Sequence, residues 1–243
     1  MFQPLQIFAQ PIVLYALFVT CGLAGADSFY TPARDKYTID KLDAQTAETL
    51  PKVLLIGDSI MSGYFKQTKQ QLEGVAQVFR HPGNAGETRN GLKKIDQWLG
   101  DTKWDVIHFN WGLHDLCYRH PDSKVYGNRD KIRGTLSVPL EEYEKNLKAL
   151  VKRLKETGAK LIFATTTKIP ENEAGRFVGD EVKYNTAALD IMKQHDIAVN
   201  DLYELSSNFN LKMYVAPADV HHTGKANRQL AEQVAKAVRE QLR

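Results

Sequence analysis

Residues Val53-Leu54-Leu55-Ile56-Gly57-Asp58-Ser59-Ile60 place a β-branched apolar run directly before a glycine and a serine. Four apolar residues in succession suit a strand buried on both faces, as in the middle of a parallel sheet. The residues that follow, Met61 to Leu72, read as a helix. A strand that breaks at a tight turn and hands a serine to a helix is how many α/β enzymes present a nucleophile. The same residues also suit a plain helix cap, because Ser and Asp favour that position whatever else they do. The rest of the chain has to decide between the two.

Further alternation follows. Val75–Phe79, Val106–Trp111, Lys160–Thr165 and Ile197–Asn200 read as strands. Between them Leu92, Ile95, Trp98 and Leu99 recur at helical spacing, as do Tyr143, Leu147, Leu150, Val151 and Leu154, the latter stopped by Gly158. Val182, Ala188, Leu189 and Met192 suggest another helix, and Leu230, Val234, Val238 and Leu242 share one face of a last one. Strands alternating with helices imply a parallel sheet covered on both sides. Five such strands predict a flavodoxin-like three-layer α/β/α sandwich with strand order 2-1-3-4-5. In sheets of this kind ligands bind beyond the carboxyl ends of the strands. Four stretches fall at that edge: Gly57-Asp58-Ser59, Asn84-Ala85-Gly86, Gly112-Leu113-His114-Asp115 and Asp219-Val220-His221-His222. Leu113 to Leu140 reads as a long polar excursion bearing Arg119, Arg129 and Arg133, and long loops are often functional.

The chain has 243 residues and shows no internal repeat and no Pro-, Gly- or Ser-rich linker, so a single main domain is expected. Its 32 basic and 29 acidic residues nearly balance, which argues against a nucleic-acid partner. The first 26 residues carry no Lys, Arg, Asp or Glu and end in Ala24-Gly25-Ala26, a small-residue cleavage pattern. Residues 1–26 are therefore expected to be a signal peptide, residues 27–243 the mature domain, and the protein to be exported without stable membrane association. Pro11 shortens the apolar stretch below the roughly 20 residues a span requires, although retention as an anchor is the competing reading. Without that segment Cys117 is the sole cysteine, which excludes an internal disulfide.

A serine hydroxyl needs a base to become a nucleophile. The chain has seven histidines. His108 falls within a strand and His195 at a helix end, which suits structural roles. His221 and His222 lie at the sheet edge, with Asp219 close by to orient and stabilise an imidazolium. Asp219 could equally cap the last helix.

Taken in order, Gly57-Asp58-Ser59-Ile60, Asn84-Ala85-Gly86-Glu87-Thr88, Gly112-Leu113-His114-Asp115 and the late Asp219/His221 block resemble the GDSL, or SGNH, hydrolases. The resemblance runs from Val53 nearly to the end of the chain. It implies a serine esterase mechanism without metal or organic cofactor, with Ser59 as nucleophile. Gly86 would lend its N–H to the oxyanion hole. His114 stands where the family usually has Asn, and an imidazole N–H is an accepted oxyanion donor. Val220-His221-His222-Thr223 matches the family's V-H-x-T pattern with His221 as base, and His222 is the alternative. The family's acid usually precedes the base by three positions, whereas Asp219 precedes His221 by two. The expected substrate is a small-molecule or polysaccharide ester, with acetyl on a carbohydrate preferred. A lipase- or lysophospholipase-type activity, or a non-catalytic carbohydrate- or partner-binding protein on the same fold, are the competing readings.

Overall fold

The computed structural model describes residues 49–243; the expected signal peptide lies outside them. In chain order the larger elements are β1 (Lys52–Ile56), α1 (Ser59–Gln71), β2 (Gln77–Arg80), α2 (Thr88–Leu99), β3 (Val106–Phe109), β4 (Tyr118–Arg119) and β5 (Thr135–Leu136). They continue with α3 (Leu140–Lys155), β6 (Lys160–Ala164), α4 (Asp180–Gln194), β7 (Ala198–Asn200), α5 (Leu202–Ser207) and α6 (Gly224–Leu242).

The main sheet has five parallel strands in the order β2-β1-β3-β6-β7. Counted without the short β4–β5 pair, this is the 2-1-3-4-5 order expected from the alternation. β1 and β3 lie side by side in the interior of the sheet, and Val53, Leu55, Ile56, Val106, Ile107 and Phe109 are wholly buried. That is why they read as continuous apolar runs rather than alternating ones.

Helices cover both faces. α1 packs on α6 on one side; α2 packs on α3, and α3 on α4, on the other. The α6 stripe of Leu230, Ala231, Val234, Ala235 and Val238 is fully buried. α2 comes close to the sheet because Gly91 has no side chain: a Cβ there would lie 2.8 Å from the Trp111 indole. Leu92 and Val182, expected on the buried stripes, are instead about two-fifths exposed, at 39% and 43%. Each lies at the margin of its helix's apolar face, where spacing alone does not separate core from rim.

The segment between β3 and α3 differs from the expectation of a polar excursion. Leu113, Leu116, Cys117 and Val138 are buried, and β4 pairs antiparallel with β5. Two-residue strands carry no readable period, so only their tertiary pairing defines them. Tyr143 of α3 donates to the Trp111 carbonyl at 2.9 Å, and Tyr184 of α4 donates to the Val138 carbonyl at 2.6 Å. These two buried phenols tie both ends of the excursion to the helical layer.

Candidate active site

The site is built at the carboxyl edge of the sheet, where β1 ends. Gly57 allows a turn too tight for any side chain, since a Cβ would approach that of Met61 to 2.7 Å. Asp58 is buried and caps α1, accepting from the Ile60 N–H at 2.9 Å. Ser59 opens the helix, so its own N–H has no acceptor within α1 and faces the positive end of the helix dipole.

His81 braces this turn from β2. One ring nitrogen, Nε2, lies 2.8 Å from the Gly57 carbonyl, and Nδ1 lies 3.0 Å from the Pro82 carbonyl. The ring packs on Trp98 at 4.4 Å between centroids. Sequence reading assigned His81 no part. Its position just after β2 becomes meaningful only once β2 is known to lie beside β1.

The late block supplies the partner of Ser59. Met213–Val215 runs antiparallel to His221–Thr223: the Val215 N–H donates to the His221 carbonyl at 3.0 Å, and the Thr223 N–H to the Met213 carbonyl at 2.9 Å. In such an extended pairing adjacent side chains point to opposite sides. His221 therefore faces the serine and His222 faces inward. His221 Nε2 lies 2.8 Å from Ser59 Oγ. His222 is buried against Phe209 and Tyr214, and neither of its ring nitrogens has a hydrogen-bond partner among the described residues. Burial, aided by the neighbouring His221, pushes its pKa down to about 4, so it stays neutral at physiological pH.

Asp219 reaches His221 despite the two-residue spacing. Its Oδ1 accepts both the His221 backbone N–H at 2.9 Å and the ring Nδ1–H at 2.6 Å. Ala218, in the left-handed region at φ 63°, makes the sharp turn that folds the carboxylate back. Partial burial would raise this carboxyl, but the two bonds from His221 outweigh it and hold the pKa below the ordinary value. Asp219 thus stays ionised beside the ring, and the Nδ1–H tautomer leaves Nε2 free to accept from Ser59.

The remaining predicted residues lie at the same edge, with one adjustment. Gly86, at φ 62°, donates its N–H to Asn84 Oδ1 at 2.8 Å, so that donor is occupied by its own loop. Asp115 ties its loop to the start of α2. Its Oδ1 accepts from the Thr88 N–H at 2.8 Å and the Thr88 hydroxyl at 2.6 Å, which caps α2 from a different segment.

His114 lies beside Arg119, with Nη2 3.4 Å from Nδ1. A guanidinium can only donate, so Nδ1 accepts and the ring proton sits on Nε2. That Nε2 is 3.9 Å from Asp58 Oδ2, beyond hydrogen-bond reach. Its N–H is thus available to the cleft. Desolvation lowers the His114 pKa; Asp58 opposes the shift and Arg176 and Arg119 reinforce it, so the ring is neutral at pH 7.

Ser59, His114, Asp219 and His221 line a cleft of about 520 Å³ that also takes in Asn84, Arg119, Tyr126, Arg129 and Arg176. Behind it Glu173, fully buried, accepts from Arg129 at 2.5 Å, from Arg176 at 3.0 Å and from the Gly175 N–H at 2.7 Å. Arg176 in turn donates to the Leu113 carbonyl at 2.7 Å and so holds the loop that carries His114. Glu173 and Arg176 were not singled out from sequence, because a charged pair in a loop ordinarily reads as solvated surface.

The structure superposes on those of known hydrolases. An acetyl xylan esterase matches with a TM-score of 0.62 at 18% identity, covering 77% of this chain and 99% of its own. A lipase/acylhydrolase from Enterococcus faecalis matches with a TM-score of 0.64 at 16% identity, covering 79% and 96%. A catalytic mutant of an acetylxylan esterase from Geobacillus stearothermophilus matches with a TM-score of 0.60 at 18% identity, covering 77% and 94%. At these identities the likeness speaks for the fold. No curated protein sequence matches the chain. The sequence model of the GDSL-like lipase/acylhydrolase family matches residues 55–229, which include all four blocks at the sheet edge. The chain belongs to the GDSL-like lipase/acylhydrolase family.

Proposed function

We propose that this protein is a serine ester hydrolase that removes short acyl groups, acetyl foremost, from a carbohydrate. The observation that carries the reading is the hydrogen-bonded series Ser59 Oγ–His221 Nε2 at 2.8 Å and His221 Nδ1–Asp219 Oδ1 at 2.6 Å. A nucleophile, a base and an orienting carboxylate within such distances form an acyl-transfer constellation.

In the proposed reaction His221 Nε2 takes the Ser59 proton as Oγ attacks the ester carbonyl. Asp219 stabilises the imidazolium that forms without taking its proton. The oxyanion is held by the Ser59 N–H and the His114 Nε2–H. The Gly86 N–H joins them once it gives up Asn84 Oδ1. Collapse of the intermediate sends the His221 proton to the leaving alcohol. Water then attacks the acyl-serine with His221 again as base. The substrate preference is supported by the polar and charged side chains among the cleft's lining residues and by structural neighbours that include acetyl xylan esterases. Export through residues 1–26 is part of the same proposal and rests on the sequence.

The test is hydrolysis of a chromogenic acetate ester together with fluorophosphonate labelling. The parent protein is expected to turn the ester over and to be labelled at Ser59, and Ser59→Ala to do neither, with loss of at least about 10³-fold in kcat. A folded parent protein that is neither labelled nor active would leave a binding module as the better reading.

A further inference from the structure

The cleft in front of Ser59 presents more positive charge than its own carboxylates answer. Arg119, Arg129 and Arg176 all line it. Glu173 is shared between Arg129 and Arg176, so one carboxylate serves two guanidiniums. Asp219 is engaged by His221. Arg119 makes no ion pair among the described residues: it donates to the Gly127 carbonyl, the Ser137 hydroxyl and the His114 ring. Arg129 donates through Nε to the Tyr126 carbonyl at 3.0 Å and through Nη1 to Glu173, which leaves Nη2 without an acceptor among the described residues.

Guanidiniums pinned by fixed acceptors on the protein are pre-organised, and their remaining N–H groups suit the planar oxygens of an anion. A cleft with low-dielectric walls concentrates their field. Between the two arginines in sequence, Tyr126 stands at the rim with 91% of its surface exposed. An aromatic face left uncovered beside a polar cleft is a stacking surface for the C–H face of a sugar ring.

We propose that the cleft selects a sugar bearing an anionic group, a carboxylate or a sulfate, held by Arg119 and Arg129 while its ring lies on Tyr126. This deepens the hydrolase reading by naming the class of carbohydrate that carries the ester. The charge preference can be measured without turnover, so the two stand or fall separately.

The experiment is calorimetric titration of the full-length Ser59→Ala protein with three trisaccharides of one scaffold: galactotriose, trigalacturonate and 6-O-sulfated galactotriose. Tighter binding of at least one anionic trisaccharide than of galactotriose, by about tenfold or more, is expected. Its identity tells carboxylate from sulfate. The advantage should shrink as sodium chloride is raised toward about 0.5 M. Arg119→Gln and Arg129→Gln, each added to Ser59→Ala, should lower the ratio of anionic to neutral affinity. Tyr126→Ala should weaken all three sugars with that ratio kept. Equal affinity for the three, a ratio that neither arginine variant moves, or no measurable binding of any of them overturns the proposal. An inactive parent protein that still prefers an anionic trisaccharide would count against the hydrolase reading and leave this one intact.

Discussion

The proposed reaction gives His114 the part an asparagine amide could play, and its surroundings decide which ring nitrogen can donate. An asparagine amide offers an N–H with no tautomer to choose. An imidazole offers one only if the proton is on the right nitrogen, and Arg119 settles that by occupying Nδ1. On this reading His114→Asn retains most activity, whereas His114→Ala loses on the order of 10²-fold in kcat with a smaller change in KM. Steady-state kinetics on a chromogenic acetate ester measure both, and an alanine variant as active as the parent would remove His114 from the oxyanion hole. Ser59 was legible in the sequence because a strand, a glycine and a serine are contiguous. The V-H-x-T resemblance favoured His221 over His222; what the sequence did not carry is the pairing of Met213–Val215 with His221–Thr223 that turns His221, and not His222, toward Ser59, because that pairing leaves no local pattern.

At the scale of elements, the five strands of the main sheet were readable as short apolar runs, and the longer flanking helices because each repeats one period over several turns. The β4–β5 pair and the buried Glu173–Arg176 contact were not, because two-residue strands and charges in loops look like surface until tertiary contacts bury them. α2 gives a test of how tightly the layers fit. In an exposed helix Gly→Ala is stabilising, by about 1 kcal/mol. At Gly91 the added methyl would meet the Trp111 indole, itself buried and in contact with Phe109 and Trp98. Gly91→Ala is therefore expected to destabilise the fold by about 1–3 kcal/mol despite the better helix propensity. Urea unfolding of both proteins checks this, and a stabilised alanine variant would show that α2 can move away from the sheet.

For the molecule as a whole, stability should depend on pH through three buried groups that act in opposite senses. Burial raises the Asp115 pKa to about 7, against the pull of its bonds from Thr88, so the folded chain holds this proton more tightly than the unfolded one. Its effect is to lower stability as pH rises from the ordinary carboxylate range toward about 7. His108 and His222 are both pushed down to about 4, chiefly by burial, so their contribution is present above the ordinary imidazole range and is lost as pH falls toward 4. Asp115→Asn keeps an acceptor for Thr88 and removes the charge. Relative to the parent, the variant's melting temperature should rise between about pH 4 and pH 7 and then level off. A constant difference across that range would mean that Asp115 does not titrate there.

Ser59 and His221 come from opposite ends of the described domain: Ser59 opens α1, while His221 closely precedes α6, the helix that packs on α1. During synthesis Ser59, the proposed nucleophile, is made early and His221, its proposed base, late. A growing chain therefore carries an ordinary, unreactive hydroxyl until the segment bearing α6 has emerged and docked. In the proposed reaction, reactivity at Ser59 would then report that α6 has docked on α1.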